Sequence, residues 1–404
     1  MLAHSPPLPL VIDFDSGEIT AEDEEPIILA LAQRDRVRRI RLNIPGLKLQ
    51  KLMMAIDGEY PILEYLILGN EPKETRTTVS ILPETLETPH LRHLAFNCSI
   101  PIRFQLLTTT VGLVTLNLSL HHPSTYFQPT VLLQLLSLMP QLEDLVIIFG
   151  FALPNSDVER QLMRTPITTH VTLPNLRSFE FQAVRAYSEA VLSGMTASRL
   201  EDFLISYHEQ LTFSLVQFMG RIENLRFNRA KFHFDSDGRT RVYVHWFVNL
   251  PETDMPTSDL AIIVNRWHLD WQISSVAQIF NALRQIFSAV EHLTLAHPVL
   301  GRSSEGHDEV ERTEWRKLLR SFSNVKTLHV HSGLVMALSR CLQLDDGEHP
   351  LNVLPELKEL IYYSRSGDAD DAFTSFVDAR QKAGCPVTLI KKIGNGGHGS
   401  CLCP

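Results

Sequence analysis

The sequence predicts an α/β repeat array with a parallel sheet along one side and helices along the other. Three observations carry this prediction: one short apolar phrase recurs along the chain, its apolar positions alternate with period two, and the stretches between copies switch to helical spacing. The phrase is clearest in Leu173-Pro-Asn-Leu-Arg-Ser-Phe-Glu-Phe181 and reads L-x-x-L-x-L. Eleven copies are legible in the 404 residues, with first anchors at Val37, Leu63, Leu91, Leu113, Leu142, Leu176, Leu200, Ile222, Val290, Val325 and Leu357. Intervals run from 22 to 35 residues, except for 68 between Ile222 and Val290, where Leu260-Ala-Ile-Ile-Val264 reads as a weaker copy. Such a phrase at such a period predicts an irregular leucine-rich-repeat solenoid, a horseshoe with its parallel β-sheet on the concave face and its helices outside.

Taken in order, residues 1–36 read as an entry segment and cap. Leu10 to Phe14 is strand-like, and Thr20 with Asp23 has the spacing of a helix N-cap pair. Pro26 suits a first turn better than a helix interior. Residues 37–363 form the array. Within it, helices are expected over Lys48–Ile56 before Gly58, over Thr130–Met139 before Pro140, from a Ser274 cap to Phe287, and over Glu314–Phe322. Residues 364–393 read as a helix-strand cap, with a helix over Asp371–Lys382 ending at Gly384, and residues 394–404 as a flexible Gly/Cys tail.

In each phrase the apolar positions enter the core and the positions between them point to the other face of the sheet. That face is where binding belongs. Its candidate partner-binding residues are Arg39, Arg41, Tyr65, His93, Asn117, Asp144, Glu180, Asp202, Arg226, His292, His329 and Glu359, with Thr115, Ser178, Thr327 and Ile361 among their neighbours. The mixture of signs suits a protein partner on the concave face better than a polyanion.

Composition points the same way. Apolar residues at 44% and charged residues at 21% are ordinary for a globular chain, and a net charge of -9 argues against nucleic acid as a ligand. Five scattered cysteines (Cys98, Cys341, Cys385, Cys401 and Cys403) lack the paired spacing of a secreted disulfide framework. The start, broken by Pro6, Pro7 and Pro9, does not read as a signal peptide, and no long apolar run predicts a membrane span. A cytoplasmic or nuclear protein is expected.

With Val11-Ile-Asp-Phe-Asp15, Gln33-Arg-Asp-Arg-Val-Arg-Arg39, Tyr60-Pro-Ile-Leu-Glu-Tyr65, Trp267-His-Leu-Asp-Trp271 and Phe287-Ser-Ala-Val-Glu-His-Leu293, the repeats resemble the F-box/leucine-rich-repeat proteins of mushroom-forming fungi over roughly residues 10 to 390. The resemblance implies a substrate-recruiting role, with an F-box docked on the Skp-type adaptor of a cullin-RING ubiquitin ligase and the repeats holding the target. The repeat region carries the likeness and the F-box does not. Its only match, Leu82-Pro-Glu-Thr-Leu86, runs straight into a repeat strand. A Skp-type partner is therefore expected only if an F-box lies upstream, and the alternative is a stand-alone scaffold or sensor.

No cofactor, metal or catalytic residue is predicted. Gly394-Asn-Gly-Gly-His-Gly399 fits G-x-G-x-x-G but has no following helix to hold a pyrophosphate. His398, Cys401 and Cys403 fall one ligand short of a closed zinc site, and His329 with His331 has no third ligand nearby in sequence. Ser303 and Ser304 with Glu305, His307 and Asp308 form an ordinary polar loop, and Trp267 with Trp271 reads as a buried helical pair.

Overall fold

The computed structural model describes residues 8–16, 19–69, 86–98, 104–120, 127–149, 168–183, 185–207, 213–222, 227–234, 239–245, 260–265, 269–297, 308–344, 348–364 and 371–393. It is a mixed α/β protein with mostly parallel strands. By contacts the chain divides into two compact units, one of residues 1–205 with 212–224 and one of 206–211 with 225–404.

In the first unit the main strands are β1 (Leu10–Asp15), β2 (Val37–Asn43), β3 (Tyr65–Gly69), β4 (His93–Cys98), β5 (Thr115–Leu120), β6 (Asp144–Phe149), β8 (Ser178–Ala183) and β10 (Asp202–Tyr207). They lie side by side in that order, and β1 through β8 are parallel throughout. Two-residue strands β7 (Val171–Thr172) and β9 (Met195–Thr196) pair separately. Helices α1 (Ala21–Leu31), α2 (Gly46–Met53), α3 (Phe104–Thr109), α4 (Pro129–Ser137), α5 (Arg185–Ser193) and α6 (Phe213–Met219) fall between strands.

The phrase explains the core directly. Ile12, Ile40, Leu66, Leu94, Leu116, Leu145 and Phe179 stand in one register row, and Leu42, Leu68, Phe96, Leu118, Ile147 and Phe181 in the next. All are buried. Phe179 continues into an aromatic cluster with Phe181, Phe203 and Phe218.

Local signals hold at several ends. Thr20 and Asp23 close a capping box at the start of α1. Gly58 and Gly384 both take positive φ, which a Cβ would strain. Pro26, expected in a first turn, lies inside α1 because the Thr20 cap starts the helix at Ala21. Glu24 is buried and bridged by Lys48 and Lys51, which ties α1 to α2.

In the second unit the strand order is β13 (Leu260–Asn265), β12 (Arg239–His245), β11 (Arg229–Phe234), β14 (His292–Ala296), β15 (Thr327–Val330), β16 (Glu359–Ser364) and β17 (Thr388–Ile393). Helices are α7 (Leu269–Ala282), α8 (Arg284–Phe287), α9 (Asp308–Arg320), α10 (Val335–Leu342) and α11 (Thr374–Lys382). Phe232, Phe234, Phe280, Phe322 and Trp315 fill its core.

The Ile222 copy falls largely on residues 223–226, outside those described; the strand that follows it is β11, in which Ala230 and Phe232 stand opposite Leu293 and Leu295. Phe227 and Ala230 are buried. Two expectations are corrected here. The weaker copy at Leu260 is β13, which runs antiparallel to β12, as β12 does to β11. The helix expected to be capped by Ser274 starts at Leu269 and breaks after Ala282, so Ser274 is interior.

Arg380 on α11 is 1% exposed and donates to four carbonyls in the turn below. Its Nη1 reaches Pro350 (3.4 Å) and Leu354 (3.3 Å), and its Nη2 reaches Pro355 (2.9 Å) and Leu357 (3.1 Å). Leu354 has φ of 50°, and Arg380 holds the carbonyl of that strained residue.

Candidate functional site

The face opposite the buried rows is built by the same register. Strands β3, β4, β5, β6, β8 and β10 of the first unit each begin two residues after their phrase anchor, so residues at equal offset become neighbours across strands. One row is Val11, Arg39, Tyr65, His93, Thr115, Asp144 and Ser178; the next is Asp13, Arg41, Ile67, Ala95, Asn117, Val146 and Glu180. Asp202 joins the end of the first row, its N–H donating to the Arg177 carbonyl at 2.9 Å.

The first row is a chain of contacts. Arg39 comes within 3.7 Å of Asp13, and its guanidinium carbon lies 5.5 Å from the centre of the Tyr65 ring. On that ring His93 stacks with centroids 4.2 Å apart and planes 7° from parallel. His93 Nδ1 is 3.1 Å from Thr115 Oγ1, which donates to Asp144 Oδ2 at 3.4 Å. Because the hydroxyl proton points to Asp144, the imidazole must donate from Nδ1, which leaves Nε2 as an acceptor. Burial holds His93 below the usual histidine range, helped by Arg92 and Arg39 and opposed by Asp144 and Glu64. The ring is neutral at pH 7.

At the β1 end, charges neutralise one another. Arg41 pairs with Asp15 at 2.6 Å and Asp13 at 3.9 Å, and Asn43 donates to Asp15 at 2.9 Å. At the other end acids gather. Burial raises the Glu180 carboxyl above its ordinary range. Asp202 is raised by burial first and then by Glu201 and Asp144. Asn117 Oδ1 is buried and accepts no hydrogen bond among the described residues.

In the second unit His292 and Glu359 share a row with Arg229 and Thr327, while His329 stands beside Thr294 and Ile361. Ile361 and Thr327, expected in solvent, are buried at 7% and 8% exposure. Arg226 lies outside the described residues, as do Trp267, the 302–307 loop and the 394–404 tail.

The structure thus brings Arg39, Tyr65, His93 and Asp144 together through Thr115, and sets Arg41, Asn117 and Glu180 in the adjacent row. It also adds Asp13 and Asp15, whose period-two placement in Leu10-Val-Ile-Asp-Phe-Asp15 was the available signal, and Arg229 and Lys231, on β11, which the phrase did not mark. Among the described residues no three His, Cys, Asp or Glu are grouped to hold a metal ion, and no helix is long and apolar enough to cross a membrane. Comparison with protein-family models and with curated proteins finds no match to either.

Proposed function

We propose that this chain is a leucine-rich-repeat solenoid whose concave strand face recognises a protein partner without performing catalysis, and that it is the target-holding arm of an F-box type ubiquitin-ligase receptor. The observation that supports recognition is the chain of contacts from Asp13 through Arg39, Tyr65, His93 and Thr115 to Asp144. It presents carboxylate, guanidinium, aromatic, imidazole and hydroxyl groups across six adjacent strands, none of the side chains fully buried. Rigid aromatic and arginine side chains on ordered strands suit a partner interface, since little entropy remains to be lost on binding.

The test is proximity labelling with the full-length protein, comparing wild type with Tyr65→Ala and His93→Ala. A partner lost from both variants while their thermal unfolding stays near wild type supports the reading; a partner set unchanged by both overturns it. Recovery of Skp and cullin supports the ligase link, and their repeated absence overturns that part. The stand-alone scaffold is the second reading.

A further inference from the structure

On the helix side of the second unit, α7 and α9 are packed on the core through Phe280 and Trp315, which touch Phe232 and Phe234 of β11. Between their outer edges they leave a groove of about 450 Å³, a size that suits a small ligand. Ser274, Gln278 and Asn281 form one wall at successive turns of α7, and Arg284 continues it on α8. Glu314 and Lys317 on α9, followed by Arg320 and Ser321, form the other. Ala277 and Ser321 are buried at 3% and 4% exposure, and at the base of the groove their short side chains leave it open.

The groove is cationic in a chain whose net charge is -9. Arg284, Lys317 and Arg320 line it against one carboxylate, Glu314, which leaves an excess of two positive charges on its walls. Lys317 is held by Glu314 at 2.6 Å. Arg320 reaches Glu348 outside the groove at 3.3 Å, but that carboxylate is shared with Arg316 at 2.9 Å. Arg284 is exposed and makes no ion pair or hydrogen bond among the described residues. The other polar lining groups are the amides of Gln278 and Asn281 and the hydroxyls of Ser274 and Ser321, and no aromatic ring stands among the described lining residues to stack on a base.

We infer that the groove between α7 and α9 binds a sugar phosphate, with Arg284, Lys317 and Arg320 holding the phosphate and Gln278 and Asn281 meeting the sugar hydroxyls. The charges match. A phosphate monoester carries about −1.5 to −2 at pH 7, close to the excess on the walls. Guanidinium forks on two walls suit its terminal oxygens, which accept charge-assisted hydrogen bonds from both sides. Amides donate and accept, so they serve hydroxyl groups of either polarity. A carboxylate ligand would leave half of the excess charge unanswered, and an apolar one would strand the amides. The site is separate from the strand face of the first unit and does not depend on what that face recognises.

The test is isothermal titration calorimetry on the full chain with glucose 6-phosphate, glucose, inorganic phosphate and a phosphoserine peptide as probes. Glucose 6-phosphate should bind about tenfold more tightly than inorganic phosphate, the gain expected from two hydrogen bonds to neutral amides, and glucose should not bind. Arg284→Gln, at an exposed position, should weaken the ester by about tenfold or more. Ser274→Leu fills the groove and leaves every cation in place, and it should weaken the ester to a similar degree while thermal unfolding stays near wild type. Lys382→Gln, at an exposed cation on α11, should bind as wild type does. Glucose 6-phosphate that fails to bind at millimolar concentration, that binds no better than inorganic phosphate, or that binds Arg284→Gln as tightly as wild type would overturn the inference. So would tighter binding of the phosphoserine peptide, which would assign the groove to a protein. Tyr65→Ala and His93→Ala should leave ester binding unchanged, so the failure of this site and the failure of the recognition face are told apart.

Discussion

Phe179 and Glu180 are chain neighbours on β8 with opposite surroundings, so replacing each one tests the face assignment directly. Phe179 is 1% exposed, stacks on Phe203 at 5.5 Å, and touches Phe181 and Phe218 at 5.5 and 6.2 Å. Phe179→Ala should cost about 3 to 5 kcal/mol through lost burial and an unfilled cavity. The upper half of that range is expected, because three aromatic partners each add about 0.5 to 1.5 kcal/mol beyond area. Glu180→Gln should behave differently. Burial raises its folded-state pKa above the ordinary 4.5, so whatever stability it contributes is fully present below that value and lost as pH rises. At pH 7 the glutamine variant should be at least as stable as wild type, and the two should converge below about pH 4.5. Urea unfolding followed by circular dichroism gives both numbers, with the earliest transition assigned to the affected unit because a chain of two compact units need not unfold in one step. A loss under about 1 kcal/mol for Phe179→Ala, or a Glu180→Gln loss of similar size to it, would refute the division of the strand into a core face and an outer face.

The second unit offers two sharper checks. Arg380→Met should destabilise it by about 3 kcal/mol or more by stranding buried carbonyls, and Arg380→Lys should not rescue it, since a single ammonium cannot reproduce the fork that meets four acceptors; thermal unfolding by calorimetry decides this. Cys341 is buried, and burial pushes its thiol up to about 12, so iodoacetamide should modify it at least roughly tenfold more slowly than the partly exposed Cys385 in native protein, as read by peptide mass spectrometry.

The core was legible because the apolar phrase states both the face and the period of each strand. Leu66, Leu94, Leu116, Leu145 and Phe179 could be named as buried before any coordinates. Register between strands was also latent in the sequence: the constant two-residue offset from anchor to strand start puts Tyr65 beside His93 and Thr115 beside Asp144. What could not be read was the region from Ile222 to Asn265. Ile222-Glu-Asn-Leu-Arg-Phe227 is a full match to the phrase, whereas the strand described after it, β11, has Ala230 opposite Leu293, where the phrase expects a larger apolar residue. Ala230 is buried at 2% exposure with only a methyl group, so a search for Leu, Ile, Val or Phe at that position passes over it. The antiparallel excursion through β12 was invisible for a related reason. Arg239 to His245 alternates charge and apolarity as any half-exposed strand does, and alternation carries no direction.

The chain of contacts from Asp13 to Asp144 admits an explanation that owes nothing to a partner, and its size decides how it should be judged. Cross-strand pairs contribute roughly 0.2 to 1 kcal/mol each. The Arg39–Tyr65, Tyr65–His93, His93–Thr115 and Thr115–Asp144 contacts could therefore exist for the sheet alone, worth about 1 to 4 kcal/mol together. Truncating Tyr65 or His93 removes two of the four, so stability alone would fall by up to about 2 kcal/mol. A binding anchor on the same row would instead lose about 2 kcal/mol or more of affinity at a temperature where the variant stays folded. Asp13 sharpens the comparison. It is exposed, stands in the neighbouring register row, and its loss removes the contact to Arg39 and the longer one to Arg41 without touching the stack. If Asp13→Asn leaves stability within about 0.5 kcal/mol and still changes partner capture, the row is read from outside and is not merely mortar between strands.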